Sequence, residues 1–115
     1  MLSGEMPYTA FYARKSYIDN NKDIINRFNN AINKGLDYVK NHNDEEVANV
    51  IIDQFPDSSL NDVIKIVKRY RDNDSWLDNT SISEDIYINL EDIMIDNDLL
   101  DKYVDFDKLV IDLNE

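Results

Sequence analysis

Histidine and cysteine, which commonly act in catalysis and bind transition metals, are scarce in this chain of 115 residues. It contains one histidine, His42, and no cysteine. A structural zinc site needs several Cys or His ligands, and a nucleophilic triad needs a histidine held beside a Ser or Cys. His42 follows the last turn of a predicted helix, a position typical of a surface or capping residue. We therefore predict no catalytic residue, and we expect that the protein is not an enzyme.

The many acidic residues include one spacing that is loosely typical of a calcium loop, formed by Asp96, Asp98 and Asp101. An EF-hand loop needs a glycine near its centre and a glutamate at its twelfth position. No glycine lies in this segment, and the residue at the twelfth position, counted from Asp96, is Asp107. A glycine-rich phosphate loop is also missing, since the whole chain has two glycines. We predict no metal site and no cofactor.

The charge balance argues against nucleic acid as a partner. The chain carries 24 acidic and 12 basic residues, a net charge of −12, with a pI near 4.3. Binding to DNA or RNA requires a basic face that displaces counterions from the phosphates. The longest basic cluster, Lys65, Lys68, Arg69 and Arg71, lies among acids on one predicted helix. We interpret that cluster as a solvated helix face and predict no nucleic-acid partner.

Apolar residues at spacings of three and four predict four helices along most of the chain. The predicted ranges are 21–41, 44–54, from Ser58 or Ser59 to about 72, and from Ser81 onward. Asn43 with Glu46, and Ser81 with Glu84, have the spacing of capping boxes. Pro56 ends the second helix, and the tail from 99 to 113 is expected to form a short helix and a docked segment. Gly35, inside the first helix, is expected to allow close packing against a neighbouring helix.

The N-terminal segment differs from the rest of the chain. Residues 8–13, with the sequence YTAFYA, are rich in aromatic and β-branched types and follow Pro7, which suits the entrance of a strand. We predict a mainly α-helical single domain over residues 1–115, with four or five helices and one N-terminal extended strand. Trp76, in a polar loop, is interpreted as a packing anchor.

The order of several short motifs resembles a known family. The stretch 4–42 contains PYT, an aromatic segment and a Tyr before a long helix, and FPDSSL, RYRDNDSW, LEDIM and FDKLV follow in the same order. This series resembles the C-terminal part of solute-binding proteins of bacterial ABC importers, in the group for nitrate, sulfonates and thiamine-precursor pyrimidines. The resemblance covers nearly the whole chain, although no single motif in it is specific.

The resemblance implies a fold and a role. Members of that group have two α/β lobes of the type 2 periplasmic-binding-protein fold, and this chain would be a partial domain, the C-terminal third. Tyr8 and Thr9 would then lie at the cleft, as ligand-binding or hinge residues. The implied function is non-catalytic capture of a small anion or aromatic heterocycle for an ABC permease. The location would be extracellular or periplasmic, with a membrane-anchored lipoprotein as the full-length form.

Two further expectations accompany this interpretation. A strand without its sheet would present an unpaired edge, so we expect either a homodimer through the N-terminal strand or docking of that segment on the chain's own helices. The chain itself shows no signal peptide or anchor, and no stretch approaches the roughly 18 apolar residues of a membrane span. The alternative function is a free-standing acidic helical module that binds a basic protein partner by charge complementarity.

Overall fold

The structure of the protein is a computed structural model, and it describes residues 6–7 and 9–114. These residues contain six α-helices and one short 3-10 helix, and no β-strand. The helices are α1 (Lys15–Asn20), α2 (Lys22–Asn41), α3 (Asp44–Ile51), α4 (Leu60–Asp72), α5 (Glu84–Asp96) and α6 (Phe106–Leu109), with the 3-10 helix at Ile52–Gln54 after α3. The prediction of a mainly helical protein is confirmed. No helix among the described residues is long and apolar enough to cross a membrane.

The predicted N-terminal strand is wrong. Residues 9–14 form no regular secondary structure, and the side chains of Phe11 and Tyr12 are 78% and 98% exposed. Strand preference describes side chains that fit a pleated, half-buried sheet, and no described segment offers such a sheet. Docking of this segment on the chain's own helices and homodimerisation through it both stay predictions.

Helix α1 is an element that was not predicted from the sequence, in which the first predicted helix begins at residue 21. Arg14 has extended backbone angles at the N-cap position, and the Tyr17 and Ile18 amides donate to its carbonyl. The helix closes at Asn21, whose amide donates to the Ile18 carbonyl. Its six residues are too few for stability without neighbouring structure.

Helix α2 begins and ends within one residue of its predicted range, and the acidic Asp23 lies in its first turn. The interpretation of Gly35 is wrong, however. A Cβ built on Gly35 has no neighbouring atom within 4 Å, so no helix packs closely there. The side chain that α2 buries is the polar Asn29, which accepts a hydrogen bond from Thr80 Oγ1 at 2.6 Å.

The chain divides into two compact units, and the first comprises residues 26–80. Its core lies between α3 and α4 and consists of Val47, Ala48, Val63 and Val67, each at most 2% exposed. These residues repeat at helical spacing, which places them on one face of each helix. The capping predictions hold here. Asn43 and Glu46 form a capping box at α3, and Ser59 Oγ accepts from the Asp62 amide at α4.

The second unit comprises residues 1–25 together with 81–115. Helix α5 begins three residues later than Ser81, because the side chain that accepts the Ile86 amide belongs to Ser83. The tail forms the short helix α6, as expected for residues 99–113. The buried residues of α5 are Tyr87 and Glu91. Burial of a carboxylate requires a partner, and that partner is described below.

Candidate functional sites

The ligand-binding or hinge role of Tyr8 and Thr9 stays a prediction. Tyr8 lies outside the described residues. Thr9 is exposed in the irregular segment before α1. It does not line the groove found in the same unit.

His42 has a capping role at the end of α2. Its Nδ1 donates to the Tyr38 carbonyl at 2.8 Å, since a carbonyl oxygen accepts only. The imidazole stacks on the Tyr38 ring, with 3.7 Å between the ring centroids and 12° between the planes. These contacts agree with the interpretation of His42 as a capping residue. Among residues 6–7 and 9–114, no group of three His, Asp or Glu side chains is placed to hold a metal ion.

The first concave surface lies in the unit of residues 26–80, and we call it the Trp76 groove. It has a volume of about 140 Å³. Its walls come from α2, the end of α4 and the following loop, namely Leu36, Val39, Lys40, Arg71, Asp74, Trp76, Leu77 and Asp78. Trp76 packs against the core of this unit, with its ring centroid 5.9 Å from that of Tyr70. The indole therefore acts as the anchor that the sequence predicted and also lines the groove.

Arg71 was wrongly assigned to a solvated helix face. Its guanidinium donates to Oδ1 of Asp44 at 2.7 Å and to the carbonyls of Val39 and His42 at 2.9 Å each. It also lies 5.9 Å from the centre of the Trp76 ring, within reach of a cation–π contact. One arginine therefore joins the end of α2, the start of α3 and the loop after α4. The spacing 63, 67, 71 places it on the buried face of α4 and was the available signal.

Lys40 is the more adaptable cation of the Trp76 groove. Its Nζ contacts Asp78 Oδ1 at 2.7 Å, and both side chains are mostly exposed. The hydrogen bond between them raises the pKa of Lys40 and lowers the pKa of Asp78. Exposed ion pairs of this kind contribute little to stability, so an incoming anion can replace Asp78 at small cost.

The second concave surface lies in the other unit, and we call it the Glu91 groove. It has a volume of about 310 Å³. Helix α5 and the segment before and at the start of α6 line it with Glu84, Tyr87, Ile88, Glu91, Tyr103, Val104, Asp105 and Phe106. The Tyr87 and Phe106 rings meet edge to face, with centroids 5.4 Å apart. Five of the eight lining residues are apolar or aromatic, and the other three are acidic.

Glu91 holds this second groove together. Its side chain is 5% exposed, and Oε2 accepts the Val104 amide at 2.6 Å. Tyr87 Oη donates to the carbonyl of the same Val104 at 2.9 Å. Burial, with the nearby charges of Glu91 and Asp105, raises the pKa of the Tyr87 phenol. Glu91 was not predicted from the sequence, although its spacing of four from Tyr87 places both on one face of α5.

Comparison with known proteins gives one informative relative. The chain is 32% identical, over 108 residues, to the "Putative binding protein YtlA" of Bacillus subtilis (strain 168). The match covers 94% of this chain but only 32% of that protein, so the chain spans about a third of the relative's length. No protein-family profile matches the chain. No solved structure matches it either.

These findings correct the resemblance drawn from the motifs. The described residues are helical and contain no strand, while the resemblance required a crossing strand at the N-terminus. The comparisons identify a similar binding protein, and they show no specific importer, substrate or transport function. The prediction that this chain is the C-terminal part of a type 2 periplasmic-binding protein is therefore wrong.

Proposed function

We propose that this chain has a non-enzymatic binding function, as a solute-binding component that works with an ABC permease. The observation that carries the proposal is the similarity to a binding protein along 94% of the chain. The residue inventory supports it, since one histidine and no cysteine leave few means of catalysis. On this proposal the protein acts on the outer side of the membrane and needs no cofactor.

The Trp76 groove is the proposed solute site, and its chemistry supports a small anion or an aromatic heterocycle. Trp76 offers an aromatic face on which a planar ring can stack. Lys40 offers an ammonium group whose exposed partner Asp78 is easily displaced. Arg71 already makes three hydrogen bonds, so we assign it the role of fixing the groove.

The single tryptophan makes this proposal directly testable. Nitrate, an alkylsulfonate and an aminopyrimidine are titrated into the purified chain, and Trp76 fluorescence and isothermal calorimetry follow binding. We expect at least one of these solutes to bind and to change the emission of Trp76. No response to any member of the panel would overturn the proposal for this groove.

Matched variants separate a specific site from general attraction of anions. Lys40→Gln is expected to weaken anion binding several-fold, whereas Lys65→Gln, an exposed lysine on α4, should leave it unchanged. Asp78→Asn removes the competing carboxylate and is expected to strengthen anion binding. Equal loss in the two lysine variants would contradict a site at Lys40.

A further inference from the structure

The Glu91 groove combines apolar walls with a charge of one sign. Tyr87, Tyr103 and Phe106 supply aromatic surface, and Tyr103 remains 58% exposed although it lines the groove. Every charged lining residue is acidic, namely Glu84, Glu91 and Asp105. An exposed aromatic surface beside carboxylates suits a ligand that carries both apolar surface and positive charge.

The segment that contains the groove is also acidic and also exposes apolar side chains. Residues 84–114 contain ten acidic residues and two lysines, Lys102 and Lys108, which is a charge of −8 within the protein's −12. Large apolar side chains of the segment are also exposed, namely Ile88, Leu99, Tyr103, Leu109 and Ile111. This part of the chain therefore carries two thirds of the net charge together with bare apolar surface.

The ion pair between Lys108 and Asp105 is an example of a cation bound at this surface. Lys108 Nζ lies 2.6 Å from Asp105 Oδ2, and both side chains are more than 70% exposed. The hydrogen bond to Asp105 raises the pKa of Lys108, so the lysine stays charged. Because the pair is exposed, a cation from outside can replace Lys108 at Asp105 with little loss.

We propose that the Glu91 groove is a docking surface for a basic, partly apolar peptide segment of another protein. In this arrangement an Arg or Lys side chain of the partner lies along Tyr103 and Phe106 and places its charge at Glu84 and Asp105. Apolar residues of the partner cover the remaining exposed wall. Charge complementarity selects this occupant, because the same acidic surface repels nucleic acid and anionic membranes. This interaction is separate from the solute binding proposed above.

The test uses a fluorescent peptide in which arginine and leucine alternate, with a glutamate–leucine peptide as the charge-reversed control. Binding to the full chain is followed by fluorescence anisotropy at low and at high salt. We expect only the arginine peptide to bind, and we expect its affinity to fall with salt because exposed charges are screened. Failure of the arginine peptide to bind, or equal binding of both peptides, would overturn the proposal.

Charge-matched variants locate the interaction. Glu84→Gln and Asp105→Asn are each expected to weaken binding of the arginine peptide about fivefold. Asp53→Asn and Asp57→Asn, exposed acids of the other unit, change the net charge equally and should leave affinity unchanged. Equal weakening by all four substitutions would show diffuse attraction and would contradict a defined groove. Glu91 is left intact because it supports the fold.

A last pair of measurements addresses the apolar wall and self-association. Tyr103→Ser should weaken binding of the arginine peptide. Tyr12→Ser, which changes a fully exposed tyrosine, should leave that binding unchanged. Sedimentation of the chain without peptide shows whether a second copy occupies the groove. A dimer that the Tyr103→Ser substitution dissociates would overturn the proposal, because the surface would then serve the protein's own assembly.

Discussion

Arg71, near the end of α4, donates its Nε hydrogen to Oδ1 of Asp44, the first residue of α3, across 2.7 Å. The two residues are 27 positions apart in the chain. The same guanidinium also binds the Val39 and His42 carbonyls at the end of α2, which the helix itself leaves without partners. One side chain therefore determines how three consecutive helices meet.

Substitution of this arginine tests that relationship. Arg71→Lys should lower the free energy of unfolding by about 2 kcal/mol, because an ammonium group cannot reproduce three bonds made by a planar fork. Urea denaturation measures the change. Arg69→Lys, an exposed arginine on the same helix, serves as the control and should cost less than about 0.5 kcal/mol. Equal effects in the two variants would contradict a special role for Arg71.

Gly35 offers a stabilising substitution. Gly35→Ala should raise the free energy of unfolding by about 0.5–1 kcal/mol, because alanine is the better helix former and its methyl group meets open space. Thermal and urea denaturation give the value. Gly35→Ser should gain less, following the order of helix propensity. A loss of stability in both variants would restore the close-packing interpretation of this glycine.

Glu91 allows a comparison of two substitutions at one buried position. Glu91→Ala leaves the Val104 amide without its acceptor and should cost about 2 kcal/mol. Glu91→Gln keeps a side-chain carbonyl as acceptor and should cost less. Hydrogen exchange of the Val104 amide provides a local readout. We expect fast exchange in the alanine variant and retained protection in the glutamine variant, and similar exchange in both would contradict this account.

Tyr87 makes the protein sensitive to alkaline pH. Burial raises the pKa of its phenol above the value of about 10 that the unfolded chain has. A raised folded pKa contributes stability that is fully present below about pH 10 and is lost as the pH rises through the folded pKa. The raised pKa values of Tyr103, Lys40, Lys68 and Lys108 act in the same direction. Unfolding free energy should therefore fall above about pH 10.

The Tyr87→Phe variant separates the contribution of the phenol from that of the lysines. It should be less stable than the parent protein at neutral pH by about 1 kcal/mol, because the bond to the Val104 carbonyl is lost. Its stability should decline less steeply above about pH 10, since the Tyr87 phenol can no longer ionise. Urea denaturation across this pH range gives both values. An unchanged alkaline decline would show that Tyr87 contributes nothing to it and that Tyr103 and the lysines are responsible.

Several elements were predictable because their causes are local. The range of α2, the capping box of Asn43 and Glu46, and the end of the helical stretch before Pro56 all depend on residues within a few positions of one another. The start of α5 was misplaced because two serines, Ser81 and Ser83, compete for the same capping role. Both have a suitable hydroxyl, and the backbone selects Ser83.

The two proposed binding surfaces were less predictable. Trp76 was expected to pack down, and it does so, but its place beside Lys40 and Arg71 depends on the approach of α2 and α4. Tyr8 and Thr9 were chosen from a resemblance that the structure contradicts. The acidic excess of the segment 84–114 was visible in the sequence, whereas its combination with Tyr87, Tyr103 and Phe106 in one groove was not.

By itself, the sequence determined where the main helices lie and that the protein is strongly acidic, with one histidine and no cysteine. Helical hydrogen bonds and caps join residues four or fewer positions apart, so short stretches contain the necessary information. Only the tertiary structure decided that Arg71 and Glu91 point inward and that residues 9–14 form no strand. Burial of a charge and formation of a strand both require partners that are distant in the chain, and local sequence does not name those partners.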